Sequence, residues 1–120
     1  HLIGLELGIS VASAALRGEA TGVSSAWRGD VVATAKRDLA VGDTLDGEGG
    51  FTVWGKLMRA DDSLALGGLP IGLAHGVTLK TAVAAGQPVR WRDVDYDAND
   101  PTIIFRREME TQGRRNTAAA

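Results

Sequence analysis

A thirteen-residue pattern occurs twice in this chain, 44 positions apart, and constrains the fold more than any other feature. Ala33-Thr34-Ala35-Lys36-Arg37-Asp38-Leu39-Ala40-Val41-Gly42-Asp43-Thr44-Leu45 aligns with Val77-Thr78-Leu79-Lys80-Thr81-Ala82-Val83-Ala84-Ala85-Gly86-Gln87-Pro88-Val89. Four pairs are identical (Thr, Lys, Ala, Gly), and five more exchange one apolar residue for another. Each copy alternates small apolar and polar residues, the two-residue period of a half-buried strand. A short apolar step, a glycine turn and a returning apolar residue follow. At Gly42 a type II turn requires positive φ, which glycine adopts without steric cost. The repeat predicts a mainly β structure.

The flanks carry other periods. Leu2, Leu5, Ile9, Ala12 and Leu16 are spaced by threes and fours, predicting a short N-terminal helix whose regular part runs from Gly8 or Ile9 to Arg17. Gly18 supplies its left-handed cap. Residues 1–7 read equally as an extended lead-in or as the first helical turns. Gly18 to Gly29 is small and polar and reads as a linker, with Trp27 packed on something near its end. Phe51 to Met58 reads as a strand, Arg59 to Ser63 as a polar turn, and Gly67-Gly68-Leu69-Pro70 as a breaker. Asn99-Asp100-Pro101 is a helix start, a capping residue ahead of a first-turn proline. Ile103-Ile104-Phe105 suits either that C-terminal helix or a last strand. Gln112 to Ala120 reads as a disordered tail. The expected organisation is therefore a helix and linker over 1–29, a β domain over 30–111 and a tail over 112–120.

The chain's 120 residues and 44% apolar content suffice for one modest core. A net charge of -2 argues against an electrostatic grip on nucleic acid. With no cysteine, neither a disulfide framework nor a cysteine zinc site is available. No apolar run approaches the roughly 18 residues of a membrane span, and no signal segment is visible, so a cytoplasmic location is expected. The chain opens His1-Leu2-Ile3-Gly4-Leu5 without an initiator methionine, which leads us to expect a fragment whose N-terminal partner domain is missing.

The stretches Ala35–Leu45, Leu69–Val77 and Thr81–Val89 resemble the SAF domain. This family includes the antifreeze-like end of sialic acid synthases, a small domain of sugar-acid dehydratases and periplasmic assembly proteins. The resemblance covers residues 30–95 and implies a β-clip fold, in which long bent hairpins fold over one another. The flanking segments His1–Glu6, Ser10–Gly22 and Gly49–Met58 are similar to the junction in homoserine-dehydrogenase-like oxidoreductases with a C-terminal SAF domain, relatives of an alternative 1-deoxyxylulose 5-phosphate reductoisomerase. That resemblance implies a missing Rossmann domain that binds NAD(P)H, a homo-oligomeric parent, and a non-catalytic accessory role for this portion. A free-standing binding module of the periplasmic assembly type and a sugar-acid dehydratase domain remain open as alternatives.

Few motifs here carry chemistry of their own. Neither GxGxxG nor GxxxxGK[ST] occurs, so no dinucleotide or triphosphate cradle is encoded. Gly8-Ile9-Ser10-Val11-Ala12 approximates a nucleophile elbow, but small residues on a packed helix explain it more simply. From Asp93, an EF-hand would need glycine where Ala98 stands and glutamate where Ile104 stands, so that reading fails. No catalytic, cofactor or metal residues are expected within the chain. Lys56, His75 and Lys80 are the candidates for contact with an anionic substrate of the missing domain. The bland readings are outward-facing strand lysines that protect an edge and a histidine hydrogen-bonded within a hairpin. Arg106, Arg107, Arg114 and Arg115 read as a solvated face offset by Glu108 and Glu110.

Overall fold

A computed structural model describes residues 3–23 and 26–118, with side chains through 114. His1 and Leu2, Ser24 and Ser25 of the expected linker, and Ala119 and Ala120 of the expected tail lie outside the described residues, as does the Arg115 side chain.

Helix α1 (Ile3–Ala12) runs into a π turn, Ser13–Arg17, which ends at Gly18 in the left-handed region (φ 64°). The glycine cap is therefore where the sequence places it, and the helix begins earlier than its regular stretch suggested. Strand β1 (Gly29–Ala35) pairs antiparallel with β3 (Val53–Arg59), from Gly29 opposite Arg59 to Ala35 opposite Val53. Strands β2 (Thr44–Asp46), β4 (His75–Leu79) and β5 (Val94–Asp95) form a second antiparallel sheet in the order β2-β4-β5. Helix α2 (Ala60–Leu66) follows β3, and α3 (Pro101–Ala118) closes the described chain.

The repeat becomes a local two-fold arrangement in which each copy's glycine turn is clasped by the other copy's strand. The Gly42 N–H donates to the Leu79 carbonyl, and the Leu79 N–H returns to Asp43, both at 2.8 Å. Forty-four residues on, the Gly86 N–H donates to Ala35 at 2.8 Å and the Ala35 N–H to Gln87 at 2.9 Å. Within each turn the closing bonds match, Asp43 to Ala40 and Gln87 to Ala84, at 3.1 Å each. Leu39 and Val83, equivalent positions, exchange both backbone bonds at 2.9 and 3.0 Å. The pairing of Thr44 with Thr78 in the second sheet likewise has its counterpart in the bridge from Thr34 to Pro88. Gly42 (φ 91°) and Gly86 (φ 77°) supply the positive φ that the turns need.

The apolar positions of the repeat make the core. Ala33, Ala35, Leu39 and Leu45 from the first copy are buried with Leu79, Val83 and Val89 from the second, together with Val53, Leu69, Trp91 and Val94. Complete burial of a valine or leucine is worth roughly 1.5–3 kcal/mol each. Both copies thus contribute hydrogen bonds and buried area to one another, so neither closes a core alone.

Helix α3 is fastened by charge. Asp100 caps it, its Oδ1 accepting from the Thr102 N–H at 2.7 Å. Arg106 spans from α3 to β1, donating from Nη1 and Nη2 to the two oxygens of Asp30 at 3.1 and 2.5 Å. Its Nε donates to Glu110 at 2.9 Å, and Glu110 also accepts from the Trp91 indole N–H at 2.9 Å. The Ser63 hydroxyl of α2 donates to Asp30 at 2.5 Å. Burial opposes the Arg106 charge, but hydrogen bonds to Asp30 and Glu110 overcome it and hold its pKa above the ordinary value. Trp27, from the expected linker, stacks 4.6 Å from the Arg106 guanidinium carbon.

These elements correct several expectations. The chain as a whole is mixed α/β, 38% helical against 27% strand, rather than clearly mainly β. Of the expected polar turn Arg59–Ser63, Arg59 ends β3 and the rest begins α2, whose Ala60, Ser63 and Leu64 are buried and whose end is set by Gly67 at φ 68°. Ile103-Ile104-Phe105 is helical, so a strand there is excluded. Phe51 precedes β3 and is 86% exposed. Helical structure also continues over 112–118, where disorder was expected. A Cβ on Gly113 would stand 3.1 Å from the Trp27 ring and 3.2 Å from Leu64, so the bare backbone allows the helix to press on both. Arg106 and Arg107 are engaged with Asp30 and Glu110 and do not form a merely solvated face.

Candidate functional site

Lys56, His75 and Lys80 are all exposed. Lys56 lies on β3 opposite Val32. His75 opens β4, whereas Lys80 follows its last residue, Leu79. At about 3.3 Å per residue, the five-residue separation along β4 puts His75 and Lys80 some 16 Å apart. His75 and Lys80 therefore do not meet at one substrate-sized point.

His75 instead belongs to a tight loop after β2. The Asp46 carboxylate accepts from the Phe51 N–H at 2.5 Å, the Thr52 N–H at 3.0 Å and the Thr52 hydroxyl. The Thr52 hydroxyl bond is the largest cause, ahead of the Phe51 N–H, of an Asp46 pKa lowered from 3.8 to about 2. A Cβ on Gly50 would overlap that carboxylate, so the loop closes only with glycine there. Lys36 Nζ donates to the Gly50 carbonyl, and His75 Nδ1 stands 3.1 Å from the Asp46 carbonyl. A carbonyl oxygen only accepts, so the hydrogen bond places a proton on Nδ1, and in the neutral ring Nε2 is the acceptor. His75 thus has the hairpin hydrogen bond of its bland reading, while Lys36, its repeat equivalent Lys80 notwithstanding, serves the loop.

A second cluster follows the other copy. Val83, Gln87, Pro88, Arg90, Arg92 and Asp93 help line an open cavity of about 350 Å³. Asp93 is occupied: its Oδ2 accepts from the Arg90 backbone N–H at 2.9 Å, and its Oδ1 lies 3.9 Å from Arg92 Nε. Nε of Arg90 is buried with no hydrogen-bond acceptor. Sequence reasoning missed this cavity, though its signal was present in two arginines flanking Trp91 directly after the second repeat copy.

Another exposed feature is apolar. Ile3, Leu5, Leu7, Ile9 and Val11 of α1 and Leu16 of the π turn are 60–85% exposed, and α1 buries none of its residues. Glu6 is its single charged residue. Ser13 donates to the Glu19 carbonyl at 3.0 Å, folding the following segment back along the helix. A groove lined by Ile9, Ala12, Leu16 and Thr21 lies between the two. The radius of gyration, 17.3 Å, exceeds the roughly 13.6 Å of a compact 120-residue domain, as a projecting helix requires.

Among the described residues, no three His, Asp or Glu side chains are grouped to hold a metal ion, and no helix is long and apolar enough to cross a membrane. No family model matches the chain. No curated protein shows significant similarity to it.

Proposed function

We propose that this chain is a non-catalytic accessory module of SAF type in a larger NAD(P)-dependent, homoserine-dehydrogenase-like oxidoreductase, and that α1 is its seat on the rest of that protein. The observation that carries the reading is the exposure of six large apolar side chains on α1 and its π turn. A helix apolar on all sides is ordinarily buried, and a contiguous apolar surface of this kind marks a contact site. Covering those side chains is worth about 9–18 kcal/mol of gross transfer free energy, at about 1.5–3 kcal/mol each. The clasped repeat, with each glycine turn held by the opposite copy, suits the interleaved hairpins expected of a β-clip and supports the SAF part of the proposal.

In this reading the hydride chemistry and NAD(P)H belong to an upstream Rossmann domain, the parent is a cytoplasmic homo-oligomer, and the module stabilises the subunit or closes over its active site. Calorimetric titration of the chain with NADH and NADPH is expected to give no saturable heat. Micromolar binding of either dinucleotide would overturn the accessory assignment. The open cavity lined by Arg90, Arg92 and Asp93 favours one second reading, a self-sufficient binding module, because its lining comes wholly from this chain.

A further inference from the structure

We infer that the open edge of β3 pairs antiparallel with the β3 edge of a second copy of this chain, about a two-fold axis at Leu57. The inference uses no residue of α1, and it goes beyond the homo-oligomeric parent proposed above by naming a contact. The register of β3 on β1 determines which way each backbone group points. The Lys36 N–H donates to the Thr52 carbonyl and the Ala60 N–H to the Arg28 carbonyl, and both pairs continue that register. Even-numbered residues of β3 therefore turn their N–H and C=O groups toward β1, and odd-numbered residues turn theirs away. Beyond β1 lie Leu69 and Gln87, which accept from Ala33 and Ala35, whereas β3 has β1 as its single strand neighbour. The backbone groups of Gly55, Leu57 and Arg59 have no hydrogen-bond partner among the described residues, and all three residues are exposed. Val53 is fully buried and is not part of the open edge. An unpaired edge of this kind is a template for another strand.

The edge is complementary to itself in one register. With the axis at Leu57, that residue faces Leu57 of the copy, and Gly55 faces Arg59 of the copy on either side. Every open N–H and C=O of the three residues is then satisfied. An axis at Lys56 would set two lysines directly against each other, which is destabilising, and would leave Arg59 opposite the buried Val53. An axis at Met58 would leave Gly55 opposite Asp61, which belongs to α2. Lys56 thus guards against the slipped register.

The side chains favour the same axis. Leu57 is 73% exposed, and Val31, directly opposite it on β1, is 39% exposed. Across the axis Val31 and Leu57 of both copies line up as one apolar row on a continuous four-stranded sheet, so each copy covers what the other leaves bare. A Cβ on Gly55 would stand 2.6 Å from Val31 Cγ1, so the edge stays without a side chain where Arg59 of the copy arrives. The pairing is short and buries less than the roughly 1,200 Å² of a stable interface. The isolated chain is therefore expected to pair with a Kd of about 1 mM, and a homo-oligomeric parent would add area from its other parts.

The test uses the whole chain carrying Leu5→Gln, Ile9→Gln and Leu16→Gln, which takes the apolar surface of α1 out of the readout. Amide exchange is followed at about 0.02 mM and about 2 mM. At the higher concentration the Gly55, Leu57 and Arg59 amides should slow by about 2.5-fold, the mass-action value for a Kd of about 1 mM. The Trp54 and Lys56 amides, already bonded to β1, should not change. The chain has no cysteine, so Leu57→Cys supplies a single thiol. Across the axis its Cα atoms would lie about 5.5 Å apart, within disulfide reach. Those of Lys56→Cys would lie diagonally, about 7–8 Å apart. In oxidised glutathione Leu57→Cys should cross-link at least about tenfold faster than Lys56→Cys. Leu57→Pro removes an N–H from the open edge alone and should abolish the slowing. Should it fail to fold, Leu57→Lys, at the same exposed position, sets like charges across the axis and should do the same. Exchange independent of concentration, Lys56→Cys cross-linking as fast as Leu57→Cys, or slowing retained in folded Leu57→Lys would overturn the assignment.

Discussion

Replacing Asp30 with alanine should destabilise the domain severely, because one carboxylate joins three elements. Asp30 belongs to β1, accepts both Nη atoms of Arg106 from α3, and accepts the Ser63 hydroxyl of α2. The Asp30 and Arg106 side chains are 6% and 12% exposed, so solvent screens the pair little. Removing one member of a buried pair costs about 3–5 kcal/mol, because the surviving charge stays desolvated. Glu110 still faces Arg106 at 2.9 Å in the variant, which favours the lower part of that range. For a 120-residue domain, with about 2.1 cal/mol/K of unfolding entropy per residue, 3 kcal/mol corresponds to a Tm fall of about 12 °C. Urea and thermal unfolding should be followed for Asp30→Ala, Arg106→Met and the double variant. Trp27 and Trp91 report directly, since both touch this cluster. The double variant should cost at least about 1 kcal/mol less than the sum of the singles. A loss under about 1 kcal/mol for Asp30→Ala, or simple additivity in the cycle, would refute the reasoning.

Two further outcomes concern the turns and the loop. Gly42→Ala and Gly86→Ala should each lower stability by about 1–2 kcal/mol, since both substitute a side chain at positive φ; matching losses in urea unfolding would verify the two-fold relation, and a neutral change at either would argue against it. The Asp46 loop should loosen in acid. Its folded pKa, about 2, lies below the unfolded 3.8, so the clasp's stabilisation is present above 3.8 and is lost as pH falls through about 2. Amide exchange of Phe51 and Thr52 should accelerate across that window, and Asp46→Asn should remove the pH dependence; an unchanged profile in the variant would place its cause elsewhere.

What was legible in the sequence was mostly local backbone chemistry. Gly18 and Gly42 adopt the positive φ expected of them, and Asp100 caps a helix beginning at Pro101. The repeat foretold strand–turn units, although not that each turn would be clasped by the other copy, because hydrogen-bond partners 36 to 52 residues away leave no local trace. Helix α2 was obscured because Arg59-Ala60-Asp61-Asp62-Ser63 looks like a solvated turn; Ser63 is polar yet buried against Asp30. The helical character of 112–118 was missed for a related reason. The segment was read as a terminal tail, but the bare backbone at Gly113 admits Trp27 and Leu64. Proposed sites suffered most. Lys56, His75 and Lys80 were chosen singly by residue type, and the roughly 16 Å along β4 between His75 and Lys80 follows only once the strand is known. That Arg90 Nε lacks a hydrogen-bond partner is visible only once burial is known.

The docking role of α1 is tested most directly by sedimentation velocity and Nile red fluorescence on the chain and its Leu5→Gln/Ile9→Gln/Leu16→Gln variant. These three residues are 73%, 67% and 85% exposed. If the helix is an uncovered seat, the parent chain binds the dye and self-associates as concentration rises. The variant then stays dark and monomeric with an unchanged core Tm. A parent chain that is monomeric and dark, or a variant whose core Tm falls by more than about 4 °C, roughly 1 kcal/mol at this size, would contradict the account, because α1 would then be covered by its own chain.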